Sequence, residues 1–309
     1  MKINPKRHVW FMGVCLLLGL YIKMAIAQVY LPVNSENSLV LIEDAVLDSS
    51  GVQYIPHGTG FLFRQDTTSA VCIITNRHIL AGRDSIIVRY NHWNKSQNFY
   101  EGIRYNIIMR IGESNLWYSH PDTTIDLAAL EVVLNLIVVA VPGDRMKEYD
   151  QVRLGDPVIF LGFPLADAAI GDQNYPLARF GIVSFKTIDV IRNKETGEQL
   201  VPQKHILLDA LVDSGNSGSP VFSVSAGQNE KASFIGVLSS HISSLERLSV
   251  PFSKAIGITH YQNIHLGICI PADRVDEVAE GAHTHIHNLV IDKKIPDEFT
   301  IARRVKKQP

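Results

Sequence analysis

The sequence predicts an all-β protein, folded as a sandwich or a pair of barrels. Apolar runs rich in Val, Ile, Leu and Phe recur at residues 38–42, 60–63, 71–75, 85–89, 127–133, 157–161, 181–185, 206–211, 220–224 and 234–239. Most are bounded by Gly, Pro, Asn or Asp, the pattern of short strands separated by turns. Helical periodicity is scarce; the clearest helix spans residues 272–280, after Pro271, and carries acidic residues. No self-similarity at a period of about 20–50 residues is visible, which argues against solenoids and propellers.

The chain of 309 residues is long enough for about two domains of ~150 residues. Its 46% hydrophobic and 19% charged composition, with 21 Gly and 14 Pro, excludes a disordered, collagenous or coiled-coil chain. The formal charge is −2, so the basic footprint of a nucleic-acid binder is missing.

The N-terminal 27 residues read as a signal peptide. Lys2, Lys6 and Arg7 form a positive segment, residues 9–22 are almost continuously apolar, and Ala25-Ile26-Ala27 offers small residues at a cleavage site. The mature chain would begin at Gln28. The alternative is an uncleaved anchor, but the apolar run is shorter than the ~20 residues that span a bilayer, and Lys23 follows it. Export, to a periplasm or out of the cell, is therefore expected, with no stable membrane insertion afterwards. Removing the segment leaves 25 basic against 31 acidic side chains, a formal charge of −6, which favours solubility.

Only Cys72 and Cys269 remain after that cleavage. Two cysteines make no disulfide scaffold, so stability must come from a packed core. Both sit in apolar runs where a buried free thiol is common, although a single bridge is an open alternative.

A break at residues 142–151, opening with Pro142-Gly143-Asp144, divides the core into parts of similar length, 28–145 and 146–281. Residues 282–309, ending in Arg303-Arg304-Val305-Lys306-Lys307, read as a solvated tail. In it His283, His285 and His287 alternate; on a strand they would share a face and suit a metal ion, but no second ligand cluster supports this and none is assigned.

Three segments carry chemistry. In Asp213-Ser214-Gly215-Asn216-Ser217-Gly218-Ser219-Pro220, glycines bracket Ser217. Acyl transfer by a serine needs a base to take its proton and N–H donors aimed at the oxyanion. Glycine permits the backbone angles that turn successive N–H groups into one pocket. The segment is no nucleophile elbow of the α/β-hydrolases, since the fifth position of that motif is Ser219 here. In Ile73-Ile74-Thr75-Asn76-Arg77-His78 a histidine stands at a strand exit, where functional side chains concentrate. In Thr123-Thr124-Ile125-Asp126-Leu127-Ala128 an acid stands at the mouth of an apolar run and must find a partner, for which His78 is suited.

The order His78, Asp126, Ser217 resembles that of the chymotrypsin-fold serine peptidases. Within them the chain is similar to the compact bacterial branch of high-temperature-requirement proteases and glutamyl endopeptidases. The matching pieces are Gly58-Thr59-Gly60-Phe61, Thr75-Asn76-Arg77-His78, Asp126-Leu127-Ala128, Gly155-Asp156-Pro157-Val158 with Gly162-Phe163-Pro164, Gly181-Ile182-Val183-Ser184, and Gly215-Asn216-Ser217-Gly218-Ser219-Pro220. They span residues 58–270. The resemblance implies two six-stranded antiparallel β-barrels with the site between them and a C-terminal helix. Together with the export expected from the N-terminal segment, it implies a serine endopeptidase acting on polypeptides through an acyl-enzyme, with no cofactor. Ser217 would be the nucleophile, His78 the general base and then acid, and Asp126 its orienter. The N–H groups of Gly215 and Ser217 would form the oxyanion hole. Ser239 would lie on the substrate-binding strand and support the aspartate.

The sequence departs from relatives in three places. Animal digestive members carry Asp before the nucleophile, to pair with a new N-terminus on activation; Asn216 stands here, so that switch is not expected. Leu211, six residues before Ser217, replaces the acid of trypsin-like specificity. Glutamyl endopeptidases use a histidine that matches Leu238, whereas His241 is the histidine here. With Leu211, Ser239 and His241 as the tentative pocket, an apolar or small residue at the cleavage site is favoured over an acidic one. About 35 residues follow the start of the terminal helix, fewer than the ~50 of the smallest domains, so no peptide-binding PDZ domain is expected. A non-catalytic peptide-binding module and an esterase are the alternative readings. The oligomeric state is left open.

Overall fold

The computed structural model describes residues 31, 35–65, 70–94, 96, 98–132, 140–164, 174–189, 203–224, 232–249, 257–295 and 302–304. The expected signal peptide, 1–27, lies outside the described residues.

The first half opens with β1 (Leu39–Asp48), β2 (Gly51–Arg64) and β3 (Val71–Thr75), followed by a one-turn helix α1 (Arg77–Leu80). The hairpin β4 (Ser85–Asn94) and β5 (Phe99–Ile108) comes next. Short strands β6 (Arg110–Ile111), β7 (Ser114–Asn115) and β8 (Tyr118–Ser119) lead to β9 (Ala128–Val132) and β10 (Val141–Pro142). The second half contains β11 (Pro157–Gly162), β12 (Leu177–Asp189), β13 (Gln203–Ala210), β14 (Pro220–Ser223), β15 (Ser233–Ser249) and β16 (Gly257–Pro271). Helix α2 (Asp273–Ile291) and a final strand β17 (Ala302–Arg304) end the described chain.

The second half is a closed six-stranded barrel in the order β11-β12-β13-β16-β15-β14. The first half is not seen to close into a second such barrel. Its strands form a nine-stranded sheet, β17-β5-β4-β1-β2-β3-β9-β8 with β10 paired to β2, which is not closed among the described residues. The outer edge of β5 is taken by β17, and the opposite edge strand, β8, is only two residues long.

Apolar burial explains where these strands sit. Val71–Thr75 is buried along its whole length, so β3 lies inside the sheet with both faces covered. Phe61 and Phe63 of β2 meet Phe234 of β15, with centroids 5.5 and 6.3 Å apart. Phe222 of β14 joins them. This cluster welds the two halves at the level of the site, and each fully buried ring contributes about 1.5–3 kcal/mol. A charge is also buried: Glu43, 1% exposed, receives Arg104 Nε at 2.8 Å and Arg89 Nη2 at 3.3 Å. Removing both arginines would leave an unpaired and costly carboxylate in the interior.

The C-terminal segment is a correction. Residues 282–291, expected in a solvated tail, continue helix α2, and residues 302–304 form an edge strand rather than a free end. Val275, Val278, Ala279, Ala282 and Leu289 are buried at helical spacing. That stripe outweighs the alternation of the histidines. At ~100° per residue they cannot share a strand-like face. His283 instead meets Glu131 at 3.0 Å, and His285 meets the Asn115 carbonyl at 2.8 Å. The two cysteines are free and buried.

Candidate active site

His78 is set by the end of β3. Asn76, fully buried, stops the strand and starts α1, while Ile79 and Leu80 point inward and leave the His78 ring half exposed. Its Nδ1 donates to Asp126 Oδ2 at 2.6 Å, and its backbone N–H donates to Asp126 Oδ1 at 3.0 Å. The aspartate thus grips both ring and main chain. Asn76 Nδ2 donates to the Asp126 carbonyl at 2.8 Å, and the Ser239 hydroxyl donates to Asp126 Oδ2 at 3.1 Å. Burial works against ionisation of Asp126, but the His78 and Ser239 hydrogen bonds outweigh it and hold the carboxyl below its ordinary value. With Nδ1 occupied as a donor, Nε2 of His78 is left with the lone pair of a base.

Ser217 lies in a loop held from within. Asn216, fully buried, accepts the Asp213 N–H at 3.0 Å through Oδ1, and its own N–H returns to the Asp213 carbonyl at 3.1 Å. Gly215 has φ +92° and Gly218 φ +87°, angles that exclude most side chains. A Cβ on Gly218 would fall on the Thr59 carbonyl oxygen. The Ser217 hydroxyl donates to the Ser239 carbonyl at 3.0 Å, so Ser239 touches both the serine and the aspartate. Among the described residues, Ser217 and His78 are not hydrogen-bonded to each other, and neither the Gly215 nor the Ser217 N–H has an acceptor.

The tentative pocket residues fare differently. Ser239 is buried at the site. His241 lies two residues further along β15, opposite Gly267. Leu211 is 48% exposed, and its carbonyl accepts Arg179 Nη1 at 2.7 Å. The same guanidinium binds Asp213 at 2.9 Å. Arg179 therefore braces the segment that leads to the serine. Nothing in the sequence around Arg179 signalled that role.

Thr59 was legible only as part of a Gly-Thr-Gly motif. It proves to be a hub. Its hydroxyl donates to the Gly215 carbonyl at 2.7 Å and accepts the Phe163 N–H at 3.0 Å. Its N–H donates to the Ser217 carbonyl at 2.9 Å, and its carbonyl accepts the Thr75 hydroxyl at 2.7 Å. One residue of β2 thereby ties the serine loop to the strand that delivers His78.

The cysteines stand apart from this chemistry. Burial pushes the Cys72 thiol up to about 12 and the Cys269 thiol up as well. Among the described residues no group of His, Cys, Asp and Glu is arranged to hold a metal ion.

The family model of the trypsin-like peptidase domain matches residues 58–229, more than half of the chain. The chain belongs to that family. A peptidase domain of this kind takes polypeptide substrates. No curated protein matches the sequence. Among solved structures, the peptidase is similar to an inactive form of Rv3671c from M. tuberculosis H37Rv that carries a serine-to-alanine change. The identity is 18%, over 84% of this chain and 94% of that chain, with a TM-score of 0.47. It is also similar to the active form of the Rv3671c protease from M. tuberculosis, at 17% identity over 80% and 81% of the two chains, with a TM-score of 0.46. Among the described residues of the peptidase, no helix is long and apolar enough to cross a membrane.

Proposed function

We propose that the protein is an exported serine endopeptidase that cleaves peptide bonds through an acyl-enzyme, with His78, Asp126 and Ser217 as its triad. The observation that carries this reading is the chain of contacts from Ser217 through Ser239 and Asp126 to His78 Nδ1. Asp126 fixes the tautomer that leaves Nε2 able to accept a proton, and it stabilises the imidazolium that results.

In the proposed reaction the Ser217 hydroxyl turns about its Cα–Cβ bond, away from the Ser239 carbonyl, a side-chain motion of the picosecond-to-nanosecond class. Its oxygen attacks the scissile carbonyl carbon as its proton passes to His78 Nε2. The negative charge on the carbonyl oxygen is met by the Gly215 and Ser217 N–H groups, whose lack of an internal acceptor fits that task. His78 then gives its proton to the departing amine as the C–N bond breaks. Water, deprotonated by the same ring, releases the acyl group and restores Ser217. No cofactor or metal takes part in this sequence.

Asn216 supports a further part of the proposal: because the serine loop is held by its own side chain, the mature enzyme needs no new N-terminus to order it. The proposed mature chain starts at Gln28 and resides in a periplasm or outside the cell. Cleavage after apolar or small residues is favoured over acidic ones.

The test is a fluorophosphonate probe with Ser217→Ala. Wild type should be labelled and should hydrolyse casein, and the variant should do neither. Peptide binding without labelling of wild type would establish a binding module instead, and ester turnover without casein turnover would establish an esterase.

A further inference from the structure

We infer that His120, latched by Glu277, is a positioning residue for Asp126, so that the C-terminal helix sets the aspartate that serves His78; this rests on the triad proposed above. Asp126 belongs to the loop between β8 and β9, which the His120 N–H closes by donating to the Leu127 carbonyl at 3.0 Å. Inside that loop the His120 ring is the internal post. The Asp122 N–H donates to His120 Nδ1 at 3.0 Å. Asp122 in turn accepts the Thr124 N–H at 3.0 Å and the Thr124 hydroxyl, and its carbonyl accepts the Ile125 N–H at 3.0 Å. The turn from His120 to Asp126 is thereby referred to one imidazole.

The imidazole has a defined tautomer. An amide N–H can only donate, so Nδ1 is the acceptor and the ring proton is on Nε2. That proton is donated to Glu277 Oε2 at 2.7 Å. The other carboxylate oxygen of Glu277 accepts Arg274 Nη1 at 2.6 Å. His120 is 4% exposed, so both its nitrogens must be satisfied internally, and both are.

Tethers matter here because packing holds Ile125 and Leu127 in the core but leaves the side of the loop that carries the Asp126 carboxylate against open space. A cavity of about 240 Å³ opens beside Asp126 and Ser239, bounded by His120, Lys204, His205 and Arg274. A loop released from Glu277 has room to move toward this space, and the carboxylate would leave its 2.6 Å contact with His78. Displacements of about 1 Å at a reacting group cost up to ~10²-fold in rate. Asn76, His78 and Ser239 still hold Asp126, so the loss should be partial.

Glu277→Ala tests this on a half-exposed helical position that tolerates alanine. The expected result is a fall in kcat of about three- to thirty-fold at unchanged KM. Glu277→Gln, whose side-chain oxygen still accepts from His120, should recover most of the activity. In an Asp126→Ala background, Glu277→Ala should change kcat by less than about twofold, since the group it positions is gone. An equal loss in both backgrounds, or no loss in either, overturns the inference. A second readout needs no activity: the low-field proton NMR signal of the short His78–Asp126 hydrogen bond should move upfield in Glu277→Ala. An unmoved signal overturns the positioning role even where the peptidase reading has failed on the labelling test, and a moved signal upholds it.

Discussion

The Ser239 hydroxyl donates to the Asp126 carboxylate at 3.1 Å, while the Ser239 carbonyl accepts the Ser217 hydroxyl at 3.0 Å. Ser239→Ala removes only the first of these. A hydrogen bond to a charged group contributes about 1.5–3 kcal/mol. If that contribution is expressed in the transition state, kcat falls by about 10- to 100-fold. Steady-state kinetics on a peptide ester measure it, and a kcat equal to wild type would show that this hydroxyl is dispensable.

Asp126→Asn keeps the shape of the side chain and removes the charge. Its amide offers a donor to a ring nitrogen that is itself a donor, so the tautomer of His78 is no longer fixed. Such a change lowers kcat on the order of 10⁴-fold in Ser-His-Asp enzymes. The binding of substrate should be little altered. A loss below about tenfold would remove Asp126 from the proposed role.

Acid should destabilise the fold in a defined window. Asp126 is held below its ordinary value despite burial, by His78 and Ser239. Asp44 is held down by its hydrogen bonds from Arg83, and Asp156 by Arg153 and Lys147 despite burial. A carboxyl whose folded pKa is depressed stabilises the protein above the unfolded value of about 3.9, and the gain disappears as pH falls through the folded value. Asp276 is raised by burial and by Glu280 and Asp273, so its protonation works the other way. Burial holds His57 below its ordinary value, so denaturant midpoints should decline from about pH 7 as that histidine resists protonation, and fall further below about pH 4 as the carboxyls protonate. A midpoint that rises on acidification through pH 3 would contradict the three depressed carboxyls.

Gly218→Ala should be severe. At φ +87° a side chain is strained, and its Cβ would fall on the Thr59 carbonyl oxygen. The expected cost is about 2–5 kcal/mol from strain and overpacking together. Gly82→Ala is the control: φ is +78° there too, but nothing lies within 4 Å, so only about 1–2 kcal/mol is expected. Equal urea midpoints for the two variants would show that the Thr59 contact is unimportant.

Cys72 and Cys269 should be silent to a thiol reagent in the native protein and react on unfolding. The thiolate is the reactive form, and burial pushes Cys72 up to about 12 and raises Cys269 too. Rapid native labelling of either would mean that its surroundings open readily.

Much of the site was legible because its chemistry is local. A strand that ends in Thr75-Asn76 before His78, and glycines around Ser217, each state a backbone requirement that few other residues meet. Strand positions were legible for the same reason: Val71–Thr75 is the observed β3 without adjustment. The hairpin strand β5 and the long β16 were not found, because their apolar residues are interrupted, in β5 by Glu101, Gly102, Arg104 and Asn106 and in β16 by His260, Gln262, Asn263 and His265, so only the end of β16 reads as an apolar run. Closure of the first sheet could not be read either. It depends on which strand takes the β5 edge, and the β17 residue Ala302 pairs with Ile107, far away in sequence, where pattern carries no information. The histidine segment was misread because a two-residue alternation of one residue type masked the apolar stripe beneath it. Arg179, His120 and Glu277 carry no motif; each matters only through a partner distant in the chain.

Helix α2 and the short turn after it bear on how the molecule is made. Leu289 and Ile295, among the last described residues, are buried with Val40, Leu62 and Ile73 of the first sheet. Ala272, Val275 and Val278 are buried with Phe61 and Ile74. A nascent polypeptide that has emerged from the ribosome only as far as the central break lacks this cover, and its first sheet stays open on that side. Completion of the amino-terminal half therefore waits until α2 has emerged, and a fragment ending before α2 should be collected as an aggregate rather than a folded product.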